Sequence, residues 1–157
     1  MTTSSHSIEQ AGQHHPLWLD NFIASYQQLS IDNLHLLDNV YHADVIFIDP
    51  IQALQGRDAL RDYFDHLYSN LSLCRFRIEQ VIVEGDQAAI YWQMRFCHPK
   101  LNKGNIIELD GSSQLQGIDD KVVYHRDFVD LGAMLYEHLP FIGKLIAFIK
   151  KRAARHD

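Results

Sequence analysis

Apolar residues recur at helical spacing in the first part of the chain and alternate with polar ones through its middle. Leu19, Phe22, Ile23 and Tyr26 mark residues 17 to 29 as an amphipathic helix, with the Tyr26 hydroxyl carried inward on the apolar stripe. A cap at residues 30 to 33 precedes Leu34, Leu37 and Tyr41, which predict a second, short helix. Residues 43 to 49 then read as a strand whose alternation puts Val45, Phe47 and Asp49 on one face, so an aspartate ends an apolar row. Gly56 introduces a third helix over residues 57 to 70, striped by Leu60, Tyr63, Phe64 and Leu67, with Arg61 and Asp65 expected to pair on its wet side.

Two hairpins follow. The first joins residues 73 to 83 and 87 to 98 around Glu84-Gly85-Asp86; the second joins residues 105 to 116 and 121 to 130 around Gly117-Ile118-Asp119-Asp120. A one-residue slip would turn a strand's apolar set to the wrong face. In the first hairpin apolar meets apolar when Phe76 faces Met94, Ile78 faces Trp92 and Ile82 faces Ala88. The neighbouring register would bring Cys74 to Cys97 but set Phe76 against Arg95, so no disulfide is expected unless a bulge intervenes. In the second hairpin a four-residue turn pairs Gln116 with Lys121, Leu115 with Val122 and Leu109 with Phe128. The other face then holds Ser112 opposite His125 and Asp110 opposite Asp127. Like charges so placed repel, and water, a cation or a shared proton must offset them.

The carboxyl end, residues 134 to 155, is a helical pattern broken at Pro140, with a stripe of Ile142, Leu145, Ile146 and Ile149 closed by Lys150-Lys151-Arg152 at the negative pole. Such a helix serves as a lid or an anchor. A basic amphipathic helix also suits a membrane surface, although packing on its own domain or on a second subunit is the commoner use.

Totals narrow the classes. With 157 residues, 46% hydrophobic and 11% aromatic, the chain has material for one α+β domain over residues 16 to 157, of which 134 to 157 is an added helix. Residues 1 to 15 are polar and unpatterned and are expected to form a disordered tail, the alternative being a metal held by His14-His15. A formal net charge of -6 argues against nucleic acid as a partner. No apolar run reaches the roughly 20 residues of a membrane-spanning helix, and the first residues lack a basic-then-apolar order, which points to the cytoplasm. Two cysteines suit a reducing compartment, and neither they nor the ten histidines show metal-site spacing, so no metal is expected.

Three helices wrapped by a curved antiparallel sheet, in this order, resemble the cone-shaped fold of the nuclear transport factor 2-like superfamily, which includes ketosteroid isomerases and SnoaL-like polyketide cyclases. The resemblance covers about residues 17 to 130. Its most specific part is a helix ending near Tyr41, then His42-Ala43-Asp44, a strand, Ile48-Asp49-Pro50 and a helix opening as Gly56-Arg57-Asp58-Ala59-Leu60. The stretch YHRDFVDLGAMLYEHLPFIGKL, residues 124 to 145, is similar to a SnoaL-like subgroup with an extra terminal helix. The resemblance implies that Asp49, in an Asp-Pro pair placed like that of the isomerases, is a catalytic base. The isomerase pattern also asks for an oxyanion hole built from a first-helix tyrosine and a neutral carboxylic acid. Here Tyr26 lies one position beyond the aligned Ser25, and Ser112 stands at the acid position with Asp110 two residues earlier.

The candidate catalytic residues are therefore Asp49, His125, Asp127 and Asp110, and the candidate substrate-binding residues are Tyr26, Ser112, Trp92 and Tyr63. Asp49 reads either as a base or as the opening of an Asp-Pro turn that bonds backbone amides. His125, oriented by Asp127 or Asp110, reads either as a proton shuttle or as part of a solvated sheet face. Trp92 and Tyr63 line a pocket or simply fill the core, together with Tyr91 and Phe96. Arg126 is expected on the face opposite His125. Two functions stand. One is a cofactor-independent acid-base enzyme, of isomerase, cyclase, dehydratase or epoxide-hydrolase type, acting on a small apolar cyclic or polyketide-like molecule. The other is a non-catalytic ligand-binding or interaction module that docks through its terminal helix. A homodimer formed through the sheet fits either.

Overall fold

The computed structural model describes residues 15–139 and 141–154. Helix α1 (Leu17–Gln28) is followed by a 3-10 turn (Leu34–Leu36), α2 (Leu37–Val40), strands β1 (Tyr41–Ile48) and β2 (Ala53–Gln55), and α3 (Arg57–Tyr68). Strands β3 (Leu73–Glu84), β4 (Gln87–Cys97), β5 (Ile107–Ile118) and β6 (Lys121–Val129) form the meander, and the short α4 (Leu131–Met134) and α5 (Ile142–Ala153) close the described chain. The expected helical stripes pack as predicted: α1 buries Trp18, Leu19, Phe22 and Tyr26, and α3 buries Leu60, Tyr63, Phe64 and Tyr68. The tail and its His14 lie outside the described residues, as does Pro140. His15 is described, with Nδ1 3.3 Å from Asp20 Oδ1.

Among the described residues the strands form one curved sheet in the order β2-β1-β6-β5-β4-β3, with β2 and β3 at the edges. It is antiparallel except where β1 runs parallel to β6, which makes it mixed. Helices α1, α2 and α3 fill its concave side. One buried cluster joins α1 residues to Val45 and Phe47 of β1, Ile90 and Trp92 of β4, and Leu115 of β5. At about 25 cal/mol per Å² of apolar surface, burial of this kind dominates the folding free energy.

The first hairpin keeps the expected register from Leu73 to Ile78, where Phe76 faces Met94 and Ile78 faces Trp92. An irregularity at Glu79 then shifts the ladder by one, so Ile82 meets Ala89 and not Ala88. Its tip needs only Gly85 and Asp86, because Gly85 takes the positive φ of 60° that a two-residue loop demands at its first position. Cys74 lies opposite Phe96, and both cysteines are free.

The second hairpin departs from expectation. Its turn is two residues long, Asp119 and Asp120, both with positive φ (48° and 62°), which is the type I′ geometry that aspartate tolerates. Val123 is then an extra residue: Gly117 pairs with Val122, but Gln116 pairs with Tyr124. Leu115 therefore faces His125, Ser113 faces Asp127, and Ser112 faces Phe128. The expected pairs Ser112–His125, Asp110–Asp127, Leu115–Val122 and Leu109–Phe128 do not form, because the shorter turn and the bulge together move the register by three residues. An odd shift exchanges the faces. Arg61 bonds Asp38 across to α2 and not Asp65.

Gly117 has no side chain where the Trp18 indole lies against β5, and a Cβ at that position would overlap the ring. Gly117→Ala is expected to lower stability by about 1–3 kcal/mol, because overpacking forces a buried ring off its rotamer. A urea-unfolding midpoint unchanged from the parent would contradict this packing.

Candidate functional site

The Val123 bulge turns the following residues of β6 by one place, so His125 and Asp127 point into the concave side while Arg126 goes to solvent. The expectation that Arg126 lies opposite His125 holds, and its guanidinium rests 4.9 Å from the Phe128 ring centre on the outer face. His125 is 1% exposed and is packed by the edges of Phe22 and Phe47 and the face of Tyr41.

A continuous chain of hydrogen bonds crosses this interior. Trp92 Nε1–H donates to Ser113 Oγ at 2.8 Å, and Ser113 donates to Asp127 Oδ1 at 2.5 Å. His125 Nε2 lies 2.6 Å from the same oxygen. With Asp127 ionised, Nε2 carries the proton and Nδ1 accepts from Tyr41 Oη–H at 2.7 Å, leaving Tyr41 Oη to accept from Tyr26 at 2.5 Å. Both ring nitrogens are thereby committed to protein partners. His125 thus backs the Asp127 carboxylate from the interior.

Two concavities meet at Asp127. The inner hollow, about 30 Å³, is bounded by Phe22, Tyr26, Phe76, Trp92, Ser113 and Asp127, and that volume holds one or two waters. A groove of about 470 Å³ lies along the ends of β1, β5 and β6, with Asp49, Asp110, Arg126 and Asp127 on its walls. Asp127 lines both, and its side chain is 21% exposed.

The structure sorts the predicted residues. Tyr26, Trp92 and Asp127 come together at the hollow. Asp49 sits on the groove, half-buried; its Oδ1 accepts from the Ile51 and Gln52 amides at 2.7 and 2.9 Å, and its Oδ2 accepts from Tyr63 at 2.5 Å. The turn role predicted as the alternative is thus present, with Tyr63 added as a clamp on the second oxygen. Asp110 is an exposed groove residue bonded by Gln93 at 3.3 Å. Ser112 is not a wall of the hollow. It lies between Tyr91 and Phe128 in one cross-strand row on the convex face. His125 stands behind Asp127, away from solvent and away from Ser112 and Asp110.

Sequence reasoning missed Ser113 and Tyr41. The signal for Ser113 was the Ser-Ser pair at 112–113, where the choice of face depends wholly on register. Tyr41 read as a helix end, yet it opens β1 and is fully buried.

Burial pushes the Tyr26, Tyr41, Tyr63 and Tyr68 hydroxyls far above the ordinary tyrosine value, and the Asp127 charge adds to the push on all four. They are neutral hydrogen-bonding groups at any working pH. Burial also raises the Cys74 thiol to about 11.

Comparison with known proteins places this geometry. The fold is that of the nuclear transport factor 2-like superfamily, shared with a protein of Jannaschia sp. CCS1 provisionally named a SnoaL-like polyketide cyclase. That pair has a TM-score of 0.67 at 16% identity, covering 79% of this chain and 95% of the other. A protein of Catenulispora acidiphila DSM 44928 with a ketosteroid isomerase-like fold, solved in complex with trimethylamine, gives 0.68 at 15% identity, covering 81% and 96%. TerC, co-crystallised with polyporic acid, gives 0.65 at 18% identity, covering 76% and 95%. Residues 22–125 match the SnoaL-like domain, and the chain belongs to that family. No curated protein matches it in sequence.

Two outcomes follow from the buried hydroxyls. Each group whose folded pKa is raised keeps its proton in the folded state after the unfolded chain has lost it. Stability is therefore fully present below about pH 8.5, and falls as pH rises past the unfolded cysteine and tyrosine values of about 8.5 and 10. The expected slope is about 1.4 kcal/mol per pH unit for each fully buried group, read from denaturant midpoints across the alkaline range. Tyr41→Phe breaks the Tyr26–Tyr41–His125 chain and is expected to cost about 1–3 kcal/mol at neutral pH, since it leaves buried partners unmatched; a stability equal to the parent's would contradict the network.

Proposed function

We propose that the protein is a small-molecule-binding SnoaL-like domain working as an acid-base enzyme, with Asp127 as the proton acceptor. The supporting observation is the position of Asp127: a carboxylate at the junction of an aromatic hollow and a ligand-sized groove, held by His125 and Ser113. Pockets of about 300–1,000 Å³ suit small molecules, and the groove falls in that range while the hollow does not. On this reading the body of a cyclic or polyketide-like molecule lies in the groove and its reacting edge reaches the mouth of the hollow.

The chemistry draws on side chains alone. Asp127 takes a proton from a carbon next to a carbonyl. The electron pair moves onto the carbonyl oxygen, and Tyr26, kept protonated by burial, turns its O–H from Tyr41 to that oxyanion. His125 and Ser113 hold the carboxylate at one angle throughout. Asp127 then returns the proton to the same carbon or, in a conjugated substrate, to the γ carbon as C=O re-forms. In ring closure the enolate carbon instead bonds a second carbonyl carbon, and the proton goes to that carbonyl's oxygen. Asp49, clamped by Tyr63, and Asp110 both stand on the groove wall.

The alternative, a binding module without turnover, is supported by the commitment of Asp49 to backbone amides and of His125 to protein partners. Dimerisation through the convex face belongs to either reading and is supported by the exposed Tyr91–Ser112–Phe128 row. A cytoplasmic location is supported by the two free cysteines.

The test is hydrogen-deuterium exchange next to the carbonyl of a panel of cyclic ketones, followed by NMR in D2O. The parent protein is expected to accelerate exchange above buffer. Asp127→Asn is expected to lower that rate by at least about 100-fold with the fold intact, and Asp49→Asn by less than about tenfold. Full activity in Asp127→Asn would remove it from the base role; no exchange with the parent would favour the binding module.

A further inference from the structure

Helix α5 does not do what an added terminal helix usually does. It touches the 3-10 turn at Tyr136–His138 and buries none of its residues, although its sequence is strongly amphipathic. Phe141, just ahead of the helix, is 83% exposed, and Ile142, Leu145, Phe148 and Ile149 are each about half exposed or more. At 3.6 residues per turn, Leu145, Phe148, Ile149 and Ile142 fall on one side of the helix. Lys144 and Lys151 lie together beyond Phe148, and Arg152 lies between Leu145 and Phe148, so the apolar strip is flanked and interrupted by cations.

The charge distribution is equally uneven. Residues 141–154 carry Lys144, Lys150, Lys151 and Arg152 and no carboxylate; subtracting these four from the formal net charge of -6 leaves -10 on the remainder of the chain. Lys150 is held by Glu137, with Asp130 3.8 Å away, which fixes the helix to the turn that precedes it. Lys144, Lys151 and Arg152 make no ion pair among the described residues.

We propose that α5 is a membrane-surface anchor that lies in the plane of an anionic lipid bilayer, with Phe141, Leu145, Phe148 and Ile149 among the acyl chains and Lys144, Lys151 and Arg152 on the lipid phosphates. An apolar strip edged with lysine and arginine is the composition that binds at such an interface. The cytoplasmic leaflet supplies the negative charge these cations match. A second copy of the chain is the poorer occupant: two α5 helices packed about a two-fold axis would bring both sets of Lys144, Lys151 and Arg152 side by side. Crossing the bilayer is not at issue, since no helix among the described residues is long and apolar enough to span it. The proposal is independent of the Asp127 chemistry.

The test is co-sedimentation of the full chain with phosphatidylcholine vesicles, with and without phosphatidylglycerol, at low and high salt. Binding is expected to anionic vesicles alone and to weaken with salt. Lys144→Gln with Lys151→Gln is expected to lower partitioning about 30-fold. Phe148→Glu is expected to abolish binding while leaving the thermal unfolding midpoint at the parent's value, because α5 lies apart from the core. Equal binding to neutral vesicles, or no binding by the parent, would overturn the proposal. So would a dimer in sedimentation equilibrium that Phe148→Glu dissociates, since a second copy would then cover this face.

Discussion

The polar interior depends on one extra residue in β6. Without Val123 as a bulge, the ladder begun at Gly117 and Val122 would carry Tyr124, Arg126 and Phe128 inward and leave His125 and Asp127 on the convex face. A buried guanidinium without a partner costs several kcal/mol, so the bulged arrangement is the one a folded core accepts. It also satisfies every group it buries: imidazole, carboxylate, serine hydroxyl, indole N–H and two phenols share one chain of bonds from Trp92 to Tyr26. Partly satisfied, such a network would weaken the domain; complete, it specifies one core arrangement.

The same bulge divides labour between neighbouring residues. His125 is sealed behind Asp127, whereas Asp127 reaches both hollow and groove. Its field adds to the burial that keeps four tyrosine hydroxyls protonated and neutral, so the carboxylate is met by hydrogen bonds from Ser113 and His125. The Asp49 carboxylate has the opposite setting, with both oxygens spent on holding the β1–β2 turn and Tyr63. Family resemblance implied Asp49 as the base; in the proposed function that role falls to Asp127.

What the sequence made legible was whatever periodicity alone decides. Helices α1 and α3 end within two residues of expectation, and the first hairpin pairs as read up to Ile78. Periodicity is silent where one residue is inserted. Val122-Val123 reads equally well with either valine inward, and Glu79 sits among alternating residues that mask the slip. The Asp119-Asp120 turn lacks the glycine that marks the commonest two-residue loops. The turn and the Val123 bulge place every candidate on β5 and β6, which is why the sheet was readable while Ser112 was put in the position that Ser113 holds. The short β2 was missed because it is three residues of ordinary polarity, ordered by pairing with β1.

The open sheet leaves β3 with one side unpaired, a twelve-residue edge on which a stray strand from another molecule would find waiting amides and carbonyls. Arg75, Arg77 and Glu79 stand along that border, and the slip at Glu79 twists its far half out of line. Charged side chains and an interrupted ladder are how natural sheets refuse edge-to-edge growth. The irregularity that defeated register reading in the first hairpin therefore also helps the domain stay dispersed at high concentration.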